Sequence, residues 1–360
     1  MPTRLQTNAK AAALRAVFEA NGAIAVEPPI LQPADTLLDL YGEDIRARAY
    51  VTSDALRGEQ MLRPDFTVPV VQMHMAEGAD PARYTYAGEV FRRQENDPER
   101  ANEYVQVGFE IFDRADPAAS DAEVFALIAD ALSGLNVRAT TGDIGLLMAA
   151  VDGLDTSVIR KAALMRHIWR PRRFRQLLDQ YAGNTPVSEA RQALLSSGPP
   201  VLSAPLVGAR RQHEIDARLA ALRADADVAP LAAGDVALID ALLDVSAPMP
   251  QAIALLQDLS EKMPAIGPAV ARLEARQSAL SALGIDTSTL VFEANYGRTS
   301  MEYYDGFVFG FRASGRTDLP PLATGGRYDA LTRRLGGGRE IPAVGGVMRP
   351  GVMLDLEAAT

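Results

Sequence analysis

The chain has 360 residues, 48% of them hydrophobic, so it can bury a large core and, we expect, forms two structural units. The absence of cysteine excludes disulfides, thiolate metal sites and cysteine nucleophiles, and the three histidines are too scattered to suggest a metal enzyme. A formal net charge of −10 argues mildly against a nucleic-acid partner. With no membrane-length apolar run and no signal-peptide core, a cytoplasmic protein without a membrane partner is expected.

The N-terminal part of the chain predicts helices around a short strand. Residues 7–20 carry apolar positions at helical spacing and stop at an Asn-Gly pair, which predicts a helix. The apolar stretch 23–26 (AIAV) predicts a strand that ends at two prolines. Pro64 and Asp65 are expected to open a second helix, and residues 68–75 suit an ordinary amphipathic helix.

Residues 83–112 predict a β-hairpin in which two β-rich runs flank a polar loop. Alternation on the return strand places Gln106, Gly108 and Glu110 on one face. A glycine in the middle of a polar face lets a ligand or another backbone approach closely. A solvated outer face is the other interpretation, and these residues alone leave both open.

The later part of the chain changes character twice. A capping box at 120–123 predicts a helix to about residue 133. From 154 to 284 the sequence is helical in pattern, rich in Ala, Leu and Arg and interrupted by prolines, which we interpret as a helical insertion without visible chemistry. Strands resume near residue 290. Strands, then helices, then strands indicate an α+β fold rather than an alternating one.

Six motifs resemble the catalytic core of histidyl-tRNA synthetase. In chain order they read LRPDFT, GEVFRRQ, QVGFE, MEYYDG, GGRYDAL and PAVGG. The resemblance covers 1–153 and 285–360, and the insertion at 154–284 falls where that family also carries one. It implies the class II aminoacyl-tRNA synthetase fold, an antiparallel sheet flanked by helices.

Departures from the family imply that this chain is not an enzyme and does not aminoacylate tRNA. The motif that supplies an arginine to ATP keeps Arg92 but replaces its acid by glutamine, and the family's final Glu-Arg pair is Gly351 and Val352 here. Aligned on the tyrosine pair, the family's catalytic arginine is Thr299, although Arg298 lies one residue away. Each lost donor to a developing phosphate charge typically costs about 3–4 kcal/mol. We also expect no anticodon-binding domain.

The family's amino-acid pocket is retained in these motifs. The positions that match its histidine-binding residues are Asp65, Thr67, Arg92, Gln106, Glu110, Tyr303 and Tyr304. A carboxylate suits the ligand's ammonium, an arginine its carboxylate, and amide and hydroxyl groups its imidazole.

The resemblance also suggests how the pocket is closed. Gly325, Gly326 and Arg327 resemble a loop at its floor, with Asp329 either orienting the arginine or forming a surface pair, and the tyrosine pair is expected on a central strand. A vestigial pocket maintained by folding alone is the alternative. The resemblance implies no catalytic residue, metal or cofactor, and L-histidine as an allosteric ligand.

A synthetase-like core with these losses is similar to the regulatory-subunit family of ATP phosphoribosyltransferase, the first enzyme of histidine biosynthesis. That similarity implies a partner, the short form of the catalytic subunit, joined in a hetero-octamer. Self-dimers are expected through the synthetase-like core, at the helix at 7–20 and the strand after it, where class II folds pair. It also implies activation of the partner and feedback inhibition by histidine. A stand-alone histidine-activating protein, a histidine sensor for another process, and a synthetase with a separate anticodon module remain alternatives. Histidine could bind the pocket or the interface between subunits.

Overall fold

The computed structural model describes residues 2–41, 45–94, 100–197, 208, 211–299 and 302–358. The strands are β1 (Ile24–Ala25), β2 (Leu31–Pro33), β3 (Val51–Asp54), β4 (Gly58–Leu62), β5 (Ala82–Phe91), β6 (Glu103–Phe112), β7 (Val137–Asp143), β8 (Ser246–Pro248), β9 (Val291–Glu293), β10 (Phe307–Ala313), β11 (Ala323–Arg327) and β12 (Ala343–Met348). The helices are α1 (Arg4–Ala20), α2 (Ala34–Tyr41), α3 (Ile45–Arg48), α4 (Thr67–Glu77), α5 (Pro117–Ala131), α6 (Ile144–Asp152), α7 (Val158–Arg166), α8 (Pro171–Tyr181), α9 (Glu189–Ser197), α10 (Gln212–Ala226), α11 (Ala233–Leu243), α12 (Met249–Lys262), α13 (Gly267–Ala282), α14 (Asp329–Leu335) and α15 (Pro350–Glu357).

A nine-stranded sheet in the order β1-β5-β6-β12-β11-β10-β7-β9-β8 forms the centre of the fold. Its six strands from β5 to β7 pair antiparallel throughout, and the two parallel pairs, β1 with β5 and β7 with β9, lie toward its edges. Strands β2, β4 and β3 form a separate small sheet. The predicted α+β fold with an antiparallel sheet is therefore confirmed.

The predicted hairpin is confirmed, and its polar face is buried rather than solvated. Strands β5 and β6 pair along their whole length, with Gly88 opposite Gln106 and Tyr84 opposite Glu110. Gln106 and Glu110 are 0% and 1% exposed. The interpretation as a solvated outer face is wrong, because this face lies toward the interior.

Two predicted helix starts are wrong by a few residues, and local hydrogen bonds explain both. Helix α4 begins at Thr67, and Asp65 lies just before it, where its carboxylate accepts from the Val68 N–H at 3.3 Å. Helix α5 begins three residues before the predicted capping box because Asp116 is the N-cap residue and Pro117 opens the helix.

Helices α1 and α5 cover one face of the sheet. Aromatic pairs join the two layers: Phe18 of α1 lies 5.3 Å from Phe109 of β6, and Phe125 of α5 lies 5.5 Å from Phe309 of β10, between ring centroids. Phe109 alternates with Gln106 and Glu110 along β6, so the polar residues occupy the opposite face. That opposite face carries the candidate site.

The described part of 154–284 is helical except for β8, which pairs with β9 at the end of the large sheet. Arg276 of α13 connects this segment to the rest of the chain through ion pairs with Asp121 at 2.8 Å and Asp143 at 3.0 Å. The division into a core and an insertion stays a prediction. Within the described ranges, no helix combines the length and apolar character that a membrane span needs.

Candidate functional site

A cavity of about 380 Å³ lies on the polar face of the sheet. Six of the seven predicted ligand-binding residues line it: Asp65, Thr67, Arg92, Gln106, Tyr303 and Tyr304. They come from the start of α4, the ends of the β5–β6 hairpin and the segment before β10. Residues distant in sequence therefore meet at one cavity, whose volume is at the lower end of the range for small-molecule sites.

The tyrosine pair does not lie on a strand, as the sequence had suggested, because β10 begins only at Phe307. Side-chain contacts hold the preceding segment instead. The indole N–H of Trp169 donates to the carbonyl oxygen of Tyr304 at 3.1 Å. The carboxylate of Asp305 accepts the backbone N–H groups at the start of α14. These contacts place both rings at the cavity wall.

Gln106 is the most informative residue of the cavity. Its side chain is fully buried yet lines the cavity, and within the described part of the chain neither its amide oxygen nor its amide nitrogen has a hydrogen-bond partner. Leaving a buried polar group unpaired costs about 1–3 kcal/mol. An amide in this position favours a ligand that supplies the missing partners.

Glu110, the seventh predicted residue, does not line the cavity but lies beneath it. Its carboxylate accepts hydrogen bonds from Thr67 at 3.2 Å, Tyr86 at 2.7 Å and Tyr328 at 2.5 Å. Burial raises the pKa of Glu110 from 4.5 to about 7, and this effect outweighs the three hydrogen bonds, which act in the opposite direction. A Cβ at Gly345 would lie 1.4 Å from this carboxylate, so only glycine fits opposite it. Glu110 is a supporting residue that orients Thr67.

The predicted pocket floor is only partly in place. Gly325, Gly326 and Arg327 belong to β11 rather than to a loop, and none of the three lines the cavity. Gly326 nevertheless supports it, since a Cβ there would lie 2.8 Å from the ring of Tyr304.

Arg327 has a structural role instead. It is 6% exposed and forms ion pairs with Asp121 at 2.7 Å and Asp329 at 3.0 Å. Of the two readings of Asp329, orientation of Arg327 is the one that the geometry supports. The carboxylates of Asp121 on α5 and Asp329 at the start of α14 hold this arginine away from the cavity.

The arginine next to the tyrosine pair is also directed elsewhere. Arg298 is 3% exposed, its Nε donates to the Ile168 carbonyl at 2.9 Å, and its Nη1 donates to Asn295 at 2.9 Å. Its guanidinium carbon lies 4.9 Å from the ring centroid of Phe174. Thr299, not Arg298, lines the cavity. A shift in alignment therefore does not restore the family's catalytic arginine.

A second, larger cavity of about 1020 Å³ adjoins the first and shares Asp65, Arg92, Pro321 and Arg349 with it. Gly351 and Val352, which match the family's Glu-Arg pair, line this larger cavity. Apolar and small groups thus occupy the positions from which that family clamps ATP.

Sequence reasoning missed two arginines that line the smaller cavity, Arg349 and Arg312. Arg349 could have been found, because it directly precedes the proline that opens α15 and lies only two residues before the departure at Gly351. Arg312 carries no such signal, because it is one exposed residue in an alternating strand.

Comparisons with known proteins agree with this architecture. The family model described as histidyl-tRNA synthetase matches residues 2–232 and 218–351. A Brucella anthropi protein named ATP phosphoribosyltransferase regulatory subunit is 32% identical over 92% of this chain and 93% of its own length. The protein of the same name from Allorhizobium ampelinum is 34% identical over 93% of this chain and 94% of its own.

Solved structures show the same fold at lower sequence identity. The Bacillus halodurans structure described as ATP phosphoribosyltransferase regulatory subunit/histidyl-tRNA synthetase has a TM-score of 0.69 at 20% identity and covers 99% of this chain and 80% of that one. A histidine–tRNA ligase subunit from Alicyclobacillus acidocaldarius has a TM-score of 0.59 at 23% identity, covering 98% and 93%. By sequence and fold together, this chain belongs to the ATP phosphoribosyltransferase regulatory subunit family, a branch of the histidyl-tRNA synthetase fold.

Proposed function

We propose that this chain is the regulatory subunit of an ATP phosphoribosyltransferase, which activates the catalytic subunit and mediates feedback inhibition by L-histidine in histidine biosynthesis. The observation that carries the proposal is 32–34% identity to proteins of that name over 92–93% of this chain. The cavity is consistent with it, because it keeps amino-acid-binding groups while Val352 occupies the position of the family's ATP-clamping arginine.

The polar groups of the smaller cavity suit free L-histidine. The carboxylate of Asp65 complements an ammonium group, and the tyrosine hydroxyls and the Gln106 amide can each donate to or accept from imidazole nitrogens. The unpartnered amide of Gln106 favours an occupied site over a vestigial one, since a pocket kept only by folding gains nothing from a buried unpaired amide.

Regulation requires that histidine bind two states of the complex unequally, with a coupling of about 1–3 kcal/mol. The segment at 302–305 is a suitable element. It carries Tyr303 and Tyr304 at the cavity wall and also contacts the helical segment through Trp169. A ligand that displaces these tyrosines would therefore move both the cavity wall and the helical segment that contains Trp169.

We further propose a short-form catalytic partner, a hetero-octamer, and self-dimers formed through α1 and β1. Strand β1 is an edge of the large sheet, and edges of this kind pair readily with another chain. Ile24 of β1 is 64% exposed, and Leu5 of α1 is 81% exposed. Sedimentation of the wild-type chain should show a dimer that Ile24→Asp weakens, and a monomeric wild type would contradict this arrangement.

The decisive experiment is phosphoribosyltransferase turnover by the short catalytic subunit from the same organism, with and without this chain, over a histidine titration. Activation by the chain, with histidine inhibition that depends on it, is the expected result. No effect on turnover and no complex in solution would overturn the proposal and favour a free-standing histidine sensor.

A variant of the complex separates the two places where histidine could act. Gln106→Leu removes the unpartnered amide from the cavity without placing a charge there. Loss of histidine inhibition with retained activation is expected if the cavity is the sensor. Unchanged inhibition would move the inhibitory histidine to the interface between subunits. Glu110→Ala is less suitable, because it strips an acceptor from three buried hydroxyls.

ATP–pyrophosphate exchange tests whether the chain activates histidine. With Thr299 and Val352 at the family's arginine positions, we expect no exchange above background in the presence of histidine. Histidine-dependent exchange would contradict a purely regulatory role.

A further inference from the structure

The ligand's carboxylate lacks its usual partner in this cavity. The family's catalytic arginine position is Thr299, and Arg298 is held among Ile168, Asn295 and Phe174. Arg92, the predicted carboxylate partner, has its Nε on the Pro64 carbonyl at 2.6 Å and lies 4.0 Å from Asp65. A second cation is needed if the carboxylate is to be bound by two parallel hydrogen bonds.

Arg349 is placed to supply that cation. It is half-buried and lines both cavities, at the point where they share Asp65, Arg92 and Pro321. Its Nη1 donates to the Pro321 carbonyl at 2.6 Å, which fixes one edge of the guanidinium. The backbone at Arg349 is held as well, because its N–H donates to the Leu322 carbonyl at 2.8 Å and the next residue, Pro350, starts α15.

No carboxylate of the described residues pairs with Arg349 within 4.0 Å, although its neighbours are polar. Burial lowers the pKa of the Arg349 guanidinium, and the positive charge of Arg92 acts in the same direction. Two guanidinium groups that line one cavity favour an anion between them. Among the described lining residues, three arginines (Arg92, Arg312, Arg349) stand against two carboxylates (Asp65, Glu293).

We propose that Arg349 binds the α-carboxylate of the amino acid in the smaller cavity, in place of the arginine that is replaced by Thr299. The ligand then lies with its carboxylate at the junction of the two cavities and its side chain toward Gln106, whose buried and unpartnered amide also lines the cavity. This inference rests on the proposed function, since it assumes that histidine occupies this cavity.

Calorimetric titration of the full chain with two ligands tests the assignment. L-Histidine and histamine share the imidazole and the ammonium, and only histidine has the carboxylate. Arg349→Gln should weaken histidine binding by roughly 10- to 100-fold, as expected for loss of a hydrogen bond to a charged group. Its affinity for histamine should change by less than about threefold, and Arg349→Lys should recover part of the preference for histidine.

Arg138→Gln is the matched control, because Arg138 is exposed on the neighbouring strand β7 and does not line either cavity. It should leave both affinities within about threefold of wild type. Equal losses for both ligands in Arg349→Gln, no loss, or a histidine-selective loss of the same size in Arg138→Gln would each overturn the inference while keeping the proposed function. If Arg349→Gln does not fold, the ratio of the histidine affinity to the histamine affinity of Arg349→Lys decides instead. Failure of the wild-type chain to bind histidine would overturn both.

Discussion

Replacing Glu110 by glutamine tests how burial controls the charge beneath the cavity. Glu110 is 1% exposed, and burial raises its pKa from 4.5 to about 7. Between these pH values the folded chain keeps a proton that the unfolded chain has lost. The stability that this proton confers is therefore complete below the unfolded pKa and is lost as the pH rises through the folded pKa.

The magnitude follows from the two pKa values. At about 1.4 kcal/mol for each pKa unit, the difference between 4.5 and about 7 corresponds to roughly 3 kcal/mol of unfolding free energy. Glutamine cannot ionise, so the stability of Glu110→Gln relative to wild type should rise by that amount between about pH 4.5 and about pH 8. Burial also raises the pKa of Asp305 to about 7, but both proteins share that group and the comparison cancels it.

Urea unfolding at one protein concentration, repeated across this pH range, measures the effect. Glu27→Gln is the matched control, because Glu27 is exposed, and its profile should follow that of wild type. Parallel pH profiles for wild type and Glu110→Gln would refute the reasoning, since they would mean that the carboxyl titrates alike in the folded and unfolded chains.

The remaining predictions concern the ion network, the cavity wall and the cavity amide. Arg276→Met should lower the unfolding free energy by roughly 3–5 kcal/mol, because it removes the ion-pair partner of buried Asp143 and one of the two partners of buried Asp121. The exposed Arg272→Met on the same helix should cost under about 0.5 kcal/mol, and equal effects would contradict a buried network. Saturating L-histidine should change the fluorescence of Trp169, the single tryptophan, because its indole donates to the backbone of the cavity wall; an unchanged spectrum despite calorimetric binding would contradict that contact. Gln106→Leu should raise the unfolding free energy by about 1–2 kcal/mol, and a loss of stability would show that the amide is paired in the fold.

Local patterns were sufficient for the elements that carry the site. Alternation along 83–112 predicted the hairpin and put Gln106 and Glu110 on one face, because the period of a strand is independent of what covers it. The order of the motifs predicted the antiparallel sheet, which depends on the whole pattern rather than on any single residue.

Long-range contacts explain what the sequence could not predict. Arg327 sits in a glycine-rich motif that suggests a ligand, but its charge is taken up by Asp121, which is 206 positions away in the chain. Burial of the Glu110 carboxylate depends on hydroxyl groups from other parts of the chain, those of Tyr86 on β5 and of Tyr328 just before α14. The orientation of Arg349 depends on its hydrogen bond to the carbonyl of Pro321, which is 28 positions away in the chain.

The position of Arg298 has an evolutionary consequence. Its guanidinium now holds the Ile168 carbonyl and Asn295 together over the ring of Phe174. A descendant that returned this arginine to the cavity would lose those contacts before gaining any catalytic advantage, and an arginine at position 352 would still be missing. Each single step backward is therefore neutral or harmful. Rebuilding an enzyme from such a chain would therefore require several substitutions together.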